Sequence, residues 1–125
     1  MLTPCELAVK SIVPALRALV ARELNSMYHL KQEEIAFLMG VTQSAVSQYL
    51  RNVRGKAIEI EVIKEVKDLA QALAKGLANN ALSARDVTQM CCEACSIVRN
   101  KRLLCKLHHR IDPTFNYEDC DICLP

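Results

Sequence analysis

Aromatic side chains are scarce in this chain, 4% of 125 residues, although its hydrophobic content is 51%. Ala, Leu, Val and Ile must therefore fill the core, which suits helices packed on helices. No apolar run approaches the ~18–20 residues of a bilayer span, so no membrane helix is expected. The N-terminus, MLTPCELAVK, lacks the basic and clean apolar regions of a secretory signal, and a cytoplasmic location is the expectation. Charge of one sign is also lacking. The formal net charge of +2 is too small to imply a polyanionic partner, so only local asymmetry counts. No Ser/His/acid set, phosphate-binding loop or pair of carboxylates stands out. An enzyme is not expected, and no small-molecule substrate is evident. Strands, internal repeats and low-complexity linkers are absent from the pattern, which leaves an all-α fold.

Helix signals are plentiful. Thr3-Pro4-Cys5-Glu6 combines a cap, a proline at the first helical position and a capping-box glutamate. A helix should run from there toward Met27, kinked or split by Pro14, which has no N–H to donate. Val62, Val66, Leu69 and Leu73 repeat at four, three and four residues, which predicts one long helix from Ile58 to about Leu77. Gly76 and Asn79-Asn80 should end it. Ser83, with Asp86 in the first turn, caps a further helix to about Asn100. A short helix follows over Arg102 to Arg110, and Asp112-Pro113 breaks the pattern. The tail TFNYEDCDICLP has no helical period and should be a loop held by something other than its own core.

The segment QEEIAFLMGVTQSAVSQYLR, residues 32 to 51, carries the most information about function. Two short amphipathic segments flank Met39-Gly40-Val41-Thr42. Ala36 falls where two helices would cross and only a small side chain fits. Gly40 falls in the turn, where a positive φ is easy only for glycine. Val46 and Tyr49 take buried positions of the second segment. Gln43, Ser44, Ser47 and Gln48 form its other face, with side chains that donate and accept hydrogen bonds as reading a base edge requires. Arg51, Arg54 and Lys56 follow, with no acid between Val41 and Ala57. The unit has the spacing of a DNA-binding helix-turn-helix. A protein-binding three-helix unit of the same geometry is the alternative.

Residues 4 to 56 resemble the lambda repressor/Cro, or XRE-type, family. The words TPCELAVKSIVPALRALVARELN and VTQSAVSQYL are similar to a group of archaeal XRE-type regulators. Some of these carry a small-molecule domain where this chain has a cysteine-rich tail. Tyr49 departs mildly from the usual Ile or Leu. The resemblance implies a partner, double-stranded DNA. It implies that Gln32 contacts phosphate and that Thr42, Gln43 and Ser44 open the recognition helix, with Gln43 or Ser44 reaching base edges. Ser47 and Gln48 would extend the readout, and Arg51, Arg54 and Lys56 would neutralise backbone charge.

Seven cysteines are unusual for such a chain, and six of them lie between Cys91 and Cys123. In a reducing compartment such clustering points to metal or redox chemistry. Three pairs share a two-residue gap: Cys92 with Cys95, Cys105 with His108, and Cys120 with Cys123. On a helix such a pair lies on one face and can grip one metal or cluster. Buried small residues, or disulfides, are the alternative. Neither C-x-x-C pair is followed by the glycine of a zinc knuckle. Several thiolates suit an iron–sulfur cluster, with a [4Fe–4S] centre favoured, whereas His108 beside cysteine suits zinc. The ligand set read from spacing is Cys92, Cys95, Cys120 and Cys123, with Cys105 as a substitute. Cys91 points about 100° away from Cys92 on a helix and reads as core. Cys5 reads as a packed residue of the first turn and stays outside the set.

These readings divide the chain into a helix-turn-helix domain at 1–56, a linking helix at 57–80 and a cysteine-rich module at 81–125. The linking helix could pack back on its own domain. A homodimer seam along Val62, Val66, Leu69 and Leu73 is preferred, because such modules bind half-sites as symmetric pairs. The function expected is a dimeric transcription regulator whose iron–sulfur cluster senses redox or iron status. The same regulator with a structural zinc site is the second reading, and a protein-interaction module that never meets DNA is the third.

Overall fold

A computed structural model describes residues 1–52 and 58–125. Every regular element among them is a helix: α1 Pro4–Lys10, α2 Ile12–Ser26, α3 Gln32–Met39, α4 Gln43–Leu50, α5 Lys64–Ala78, α6 Ala84–Asn100 and α7 Cys105–Ile111. None is long and apolar enough to cross a membrane. Gly55, Arg54 and Lys56, the last two expected to contact phosphate, lie outside the described residues.

The first helix starts as its sequence dictates. The Thr3 hydroxyl accepts the Glu6 N–H at 3.3 Å and the Glu6 carboxylate accepts the Thr3 N–H at 3.4 Å. Pro14 splits the predicted helix rather than kinking it. The break falls at Ser11 (φ −130°, ψ −66°), which puts Pro14 in the first turn of α2, where no intrahelical N–H is needed. Ser11 is fully buried, and its hydroxyl donates to the Leu7 carbonyl at 2.6 Å.

The second helix is the centre of the fold, with α1, α3, α4, α5 and α6 all packed on it. Its buried positions alternate small and large: Ala15, Leu16, Ala18, Val20, Ala21 and Leu24. The alanines let neighbouring helices approach closely. Each large aliphatic side chain contributes about 1.5–3 kcal/mol by leaving water. One continuous apolar core runs from Leu7 through Tyr49 and Leu73 to Leu104.

Two expectations need correction here. The helix predicted from Ile58 begins only at Lys64. Ile58, Ile60 and Val62 alternate at a spacing of two, which no helix face can use, and β-branched residues resist helix. Ile60 and Ile63 are instead buried in the irregular segment before α5, joined by a turn in which Ile63 N–H meets Ile60 O at 3.0 Å. The dimer stripe changes meaning as well. Val66 and Leu73 are buried inside this chain, Leu69 is half-buried against the same core, and only Val62 is open, outside the helix. The apolar face of α5 is spent on α2 and α6, so packing back on its own domain is what the stripe encodes.

The α5–α6 hairpin turns through Asn79 and Asn80, the latter left-handed at φ 53°. Leu82 then sits in the notch left by Gly76, where a Cβ would stand 2.4 Å from its side-chain carbons. The Ser83–Asp86 capping box opens α6, with reciprocal bonds of 2.9 and 3.1 Å. The short seventh helix begins at Cys105 rather than Arg102, because Arg102 is left-handed (φ 62°) and ends the preceding turn.

Candidate nucleic-acid face and thiol cluster

Between α3 and α4 the chain turns on Gly40, which is left-handed at φ 67° and ψ 34°. Nothing approaches within 4 Å of where its Cβ would be. A side chain there therefore costs backbone strain alone. Gly40→Val is expected to lower stability by about 1–2 kcal/mol, read as a fall in the urea midpoint at constant slope.

Thr42 caps α4, its hydroxyl accepting the Ala45 N–H at 3.0 Å. The inner face of α4 is buried at Ala45, Val46 and Tyr49. Gln43 and Ser44 are exposed, Ser47 and Gln48 are half-exposed, and Arg51 is exposed at the C-cap. On α3, Ile35 and Ala36 are buried and Gln32 is half-exposed at the first helical position. The Glu34 carboxylate is turned back to its own helix start, accepting the Lys31 N–H at 3.1 Å. Every described member of the expected DNA-contacting set therefore keeps some exposure. Gln43, Ser44, Ser47 and Gln48 lie on one short helix with no acid in its first turn.

A second group of functional side chains gathers around Arg99 of α6. The Arg99 guanidinium donates from Nε to Cys123 Sγ at 3.5 Å, and its charge also acts on the Cys95 thiol, one turn before it on the helix. Cys105, Cys120 and Cys123 line one small cavity with Pro4 and Leu7 of α1. The first helix, α6, α7 and the tail thus meet at one place.

The tail is tied down by three side chains, Arg102, His108 and His109. Arg102 Nη2 donates to the carbonyls of Tyr117, Glu118 and Cys120 at 2.7, 3.4 and 3.0 Å. The His108 ring is buried and stacks on Phe115 with centroids 3.7 Å apart. His109, which is exposed, meets the Phe115 carbonyl through Nδ1 at 2.8 Å. No sequence signal marks Arg102 as a clamp, because the carbonyls it holds are defined only once the loop is folded.

The predicted ligands are not all brought together. Cys105, Cys120 and Cys123 border one cavity, and Cys123 accepts from Arg99 of α6, the helix that carries Cys95. Cys92 is exposed and lines a groove on another side of α6, shared with Leu16, Arg17, Phe37 and Met39. Among the described residues, no three His, Cys, Asp or Glu side chains stand close enough to hold a metal ion as placed. The donor chemistry nevertheless suits a thiophilic metal. All seven cysteines are free thiols, and Cys105, Cys120 and Cys123 line one cavity.

Burial sets the reactivity of two thiols. It pushes the Cys91 thiol above the usual cysteine range, against the opposing charge of Arg17. It does the same at Cys95, where Arg99 opposes it. A raised pKa leaves less thiolate at neutral pH, and thiolate is the nucleophile. Brief iodoacetamide treatment at pH 7 should therefore label the exposed Cys5 and Cys92 before Cys91 and Cys95, as followed by peptide mass spectrometry.

No family model, curated protein or solved structure matches this chain.

Proposed function

We propose that this chain is a sequence-specific DNA-binding transcription regulator of the lambda repressor/Cro (XRE) type, with α3 and α4 as its helix-turn-helix. The observation that carries this reading is the division of α4. Ala45, Val46 and Tyr49 are buried, while Gln43 and Ser44 are exposed at the N-terminal end, the end such helices present to base edges. A left-handed glycine in the connecting turn and a buried alanine on α3 support it. Two copies bind one operator, as a single unit reads only a few base pairs. The α5 stripe is committed to the intrachain core, so pairing uses another surface.

The cysteines around Arg99 would hold an iron–sulfur cluster, with zinc as the alternative. The group would supply a redox-sensitive or structural link between the tail and α6, which packs on both α2 and α5. Regulation follows if binding the group favours one arrangement of these helices over another.

Two measurements test the reading. A duplex should be selected from a randomised pool, and its affinity should fall steeply with salt as phosphate-bound counterions are released. Failure to bind any duplex at low salt would sink it and leave a protein-interaction module. Anaerobic purification with iron, sulfide and zinc analysis separates the cofactors, as a cluster is coloured and zinc is not. Equal operator affinity with and without the metal would make the metal structural.

A further inference from the structure

A groove of about 550 Å³ opens between α2, α3, α5 and α6 and plays no part in the function proposed above. Its floor is made of core side chains, Leu16, Val20 and Leu73, each 3% exposed or less. Phe37 of α3 also lines it, yet stands 87% exposed, more than any other large apolar side chain in a helix. Ring and groove together form one continuous apolar surface open to water, the kind that marks a binding site. The volume falls within the range of about 300–1,000 Å³ typical of small-molecule sites.

Charge narrows the choice of ligand. Among the described residues that line the groove, Arg17 alone is charged and none is acidic. Arg17 makes no ion pair and no hydrogen bond among the described residues. The Cys91 thiol lines the same groove, but burial pushes it above the usual cysteine range, so it supplies no anion at neutral pH. An unpaired guanidinium beside an acid-free apolar wall repels cations and suits a molecule with one anionic end and an apolar body. A carboxylate matches the planar fork of the guanidinium with two parallel hydrogen bonds. Phe37 is the one aromatic residue of the lining, and the rest of the apolar wall is aliphatic or sulfur-bearing. Such a wall suits a flexible acyl chain better than a stacked ring.

We infer that this groove binds a free medium-chain carboxylic acid as its anion, with Arg17 holding the carboxylate and the Leu16, Val20 and Leu73 floor taking the hydrocarbon chain. Phe37 then covers the chain from the rim, which gives its exposed ring a partner. Binding of the acid does not depend on the DNA-binding reading, since no residue of α4 lines the groove. Its consequence does. Met39 and Gly40, which join α3 to α4, are part of the wall. An acid seated there touches the connection that sets the two motif helices against each other, a route from ligand to operator.

The test uses the full, reduced chain and octanoate, with octanol and octylamine as controls. Calorimetry should show one octanoate per chain, weaker binding of octanol and the weakest of octylamine. Arg17→Gln should weaken octanoate about tenfold, through loss of a charge-assisted hydrogen bond, and leave octanol unchanged. Phe37→Ser should weaken both. Both side chains are exposed, so both variants should keep their far-UV helicity. In wild type, octanoate should slow iodoacetamide labelling of Cys92, which lines the groove, and leave that of Cys5 unchanged. That result needs no variant to fold. Absence of octanoate binding, equal binding by Arg17→Gln, or an unprotected Cys92 overturns the inference. Labelling of Cys92 that slows with rising chain concentration, and that octanoate does not slow further, assigns the groove to a second copy of the chain and overturns it too.

Discussion

Gln43→Ala is expected to weaken binding to the chain's selected operator by roughly 10- to 100-fold, because a well-placed amide–base pair is worth about 1–3 kcal/mol of discrimination. Gln43 is the first residue of α4 and is exposed. Its side chain makes no hydrogen bond among the described residues, so its loss should leave the melting temperature unchanged. Affinity for unrelated duplexes should also stay nearly constant, since nonspecific binding is set by phosphate neutralisation. Arg51→Ala should behave in the opposite way, lowering affinity for all duplexes and flattening the salt slope by about one unit. Anisotropy titrations at several salt concentrations distinguish the two. If Gln43→Ala weakened specific and nonspecific binding alike, α4 would not be the reading helix.

Tyr49→Ala should have the largest effect on stability. Tyr49 is 2% exposed and is the largest fully buried side chain. It lies on the inner face of α4, where the helix meets α2. Truncating a buried aromatic side chain costs about 3–5 kcal/mol, from lost transfer energy and the cavity left behind. A domain of ordinary stability has only about 5–15 kcal/mol in total. The melting temperature should therefore fall by roughly 10–25 °C. Ser47→Ala, two residues away on the same helix and half-exposed, should change it little. A small shift for Tyr49→Ala would mean that α4 is less firmly seated than its burial indicates.

Local chemistry was legible in the sequence wherever a residue acts on its near neighbours. The two capping boxes, the helix break caused by Pro14 and the left-handed Gly40 are each decided within four residues. The all-helical class follows from composition and from the lack of any alternating strand pattern. The segment 58–63 was misread because four apolar residues at heptad-like spacing outweighed a competing alternation of β-branched residues. The stripe on α5 carried no information about whether its partner lay in the same chain or another. Spacing within the C-terminal region pairs Cys120 with Cys123, and these two line one cavity in the fold. It could not show that Cys92 opens into a different groove. That depends on how α6 packs on α2, and no periodicity of a single helix encodes it.

The contact between α1 and the tail also has a kinetic meaning. Pro4 and Leu7 meet residues 122–124 across a loop that spans nearly the whole chain. Closing so long a loop is entropically the most demanding step in assembly, and such contacts form late. They are also held by few groups, mainly Arg102, His108 and His109. This corner should then be the first to open, at a free energy well below that of global unfolding. Amide hydrogens of residues 112–125 should exchange much faster than those of α2. The chain would thus uncover its thiols many times over while the bundle that carries α4 stays folded.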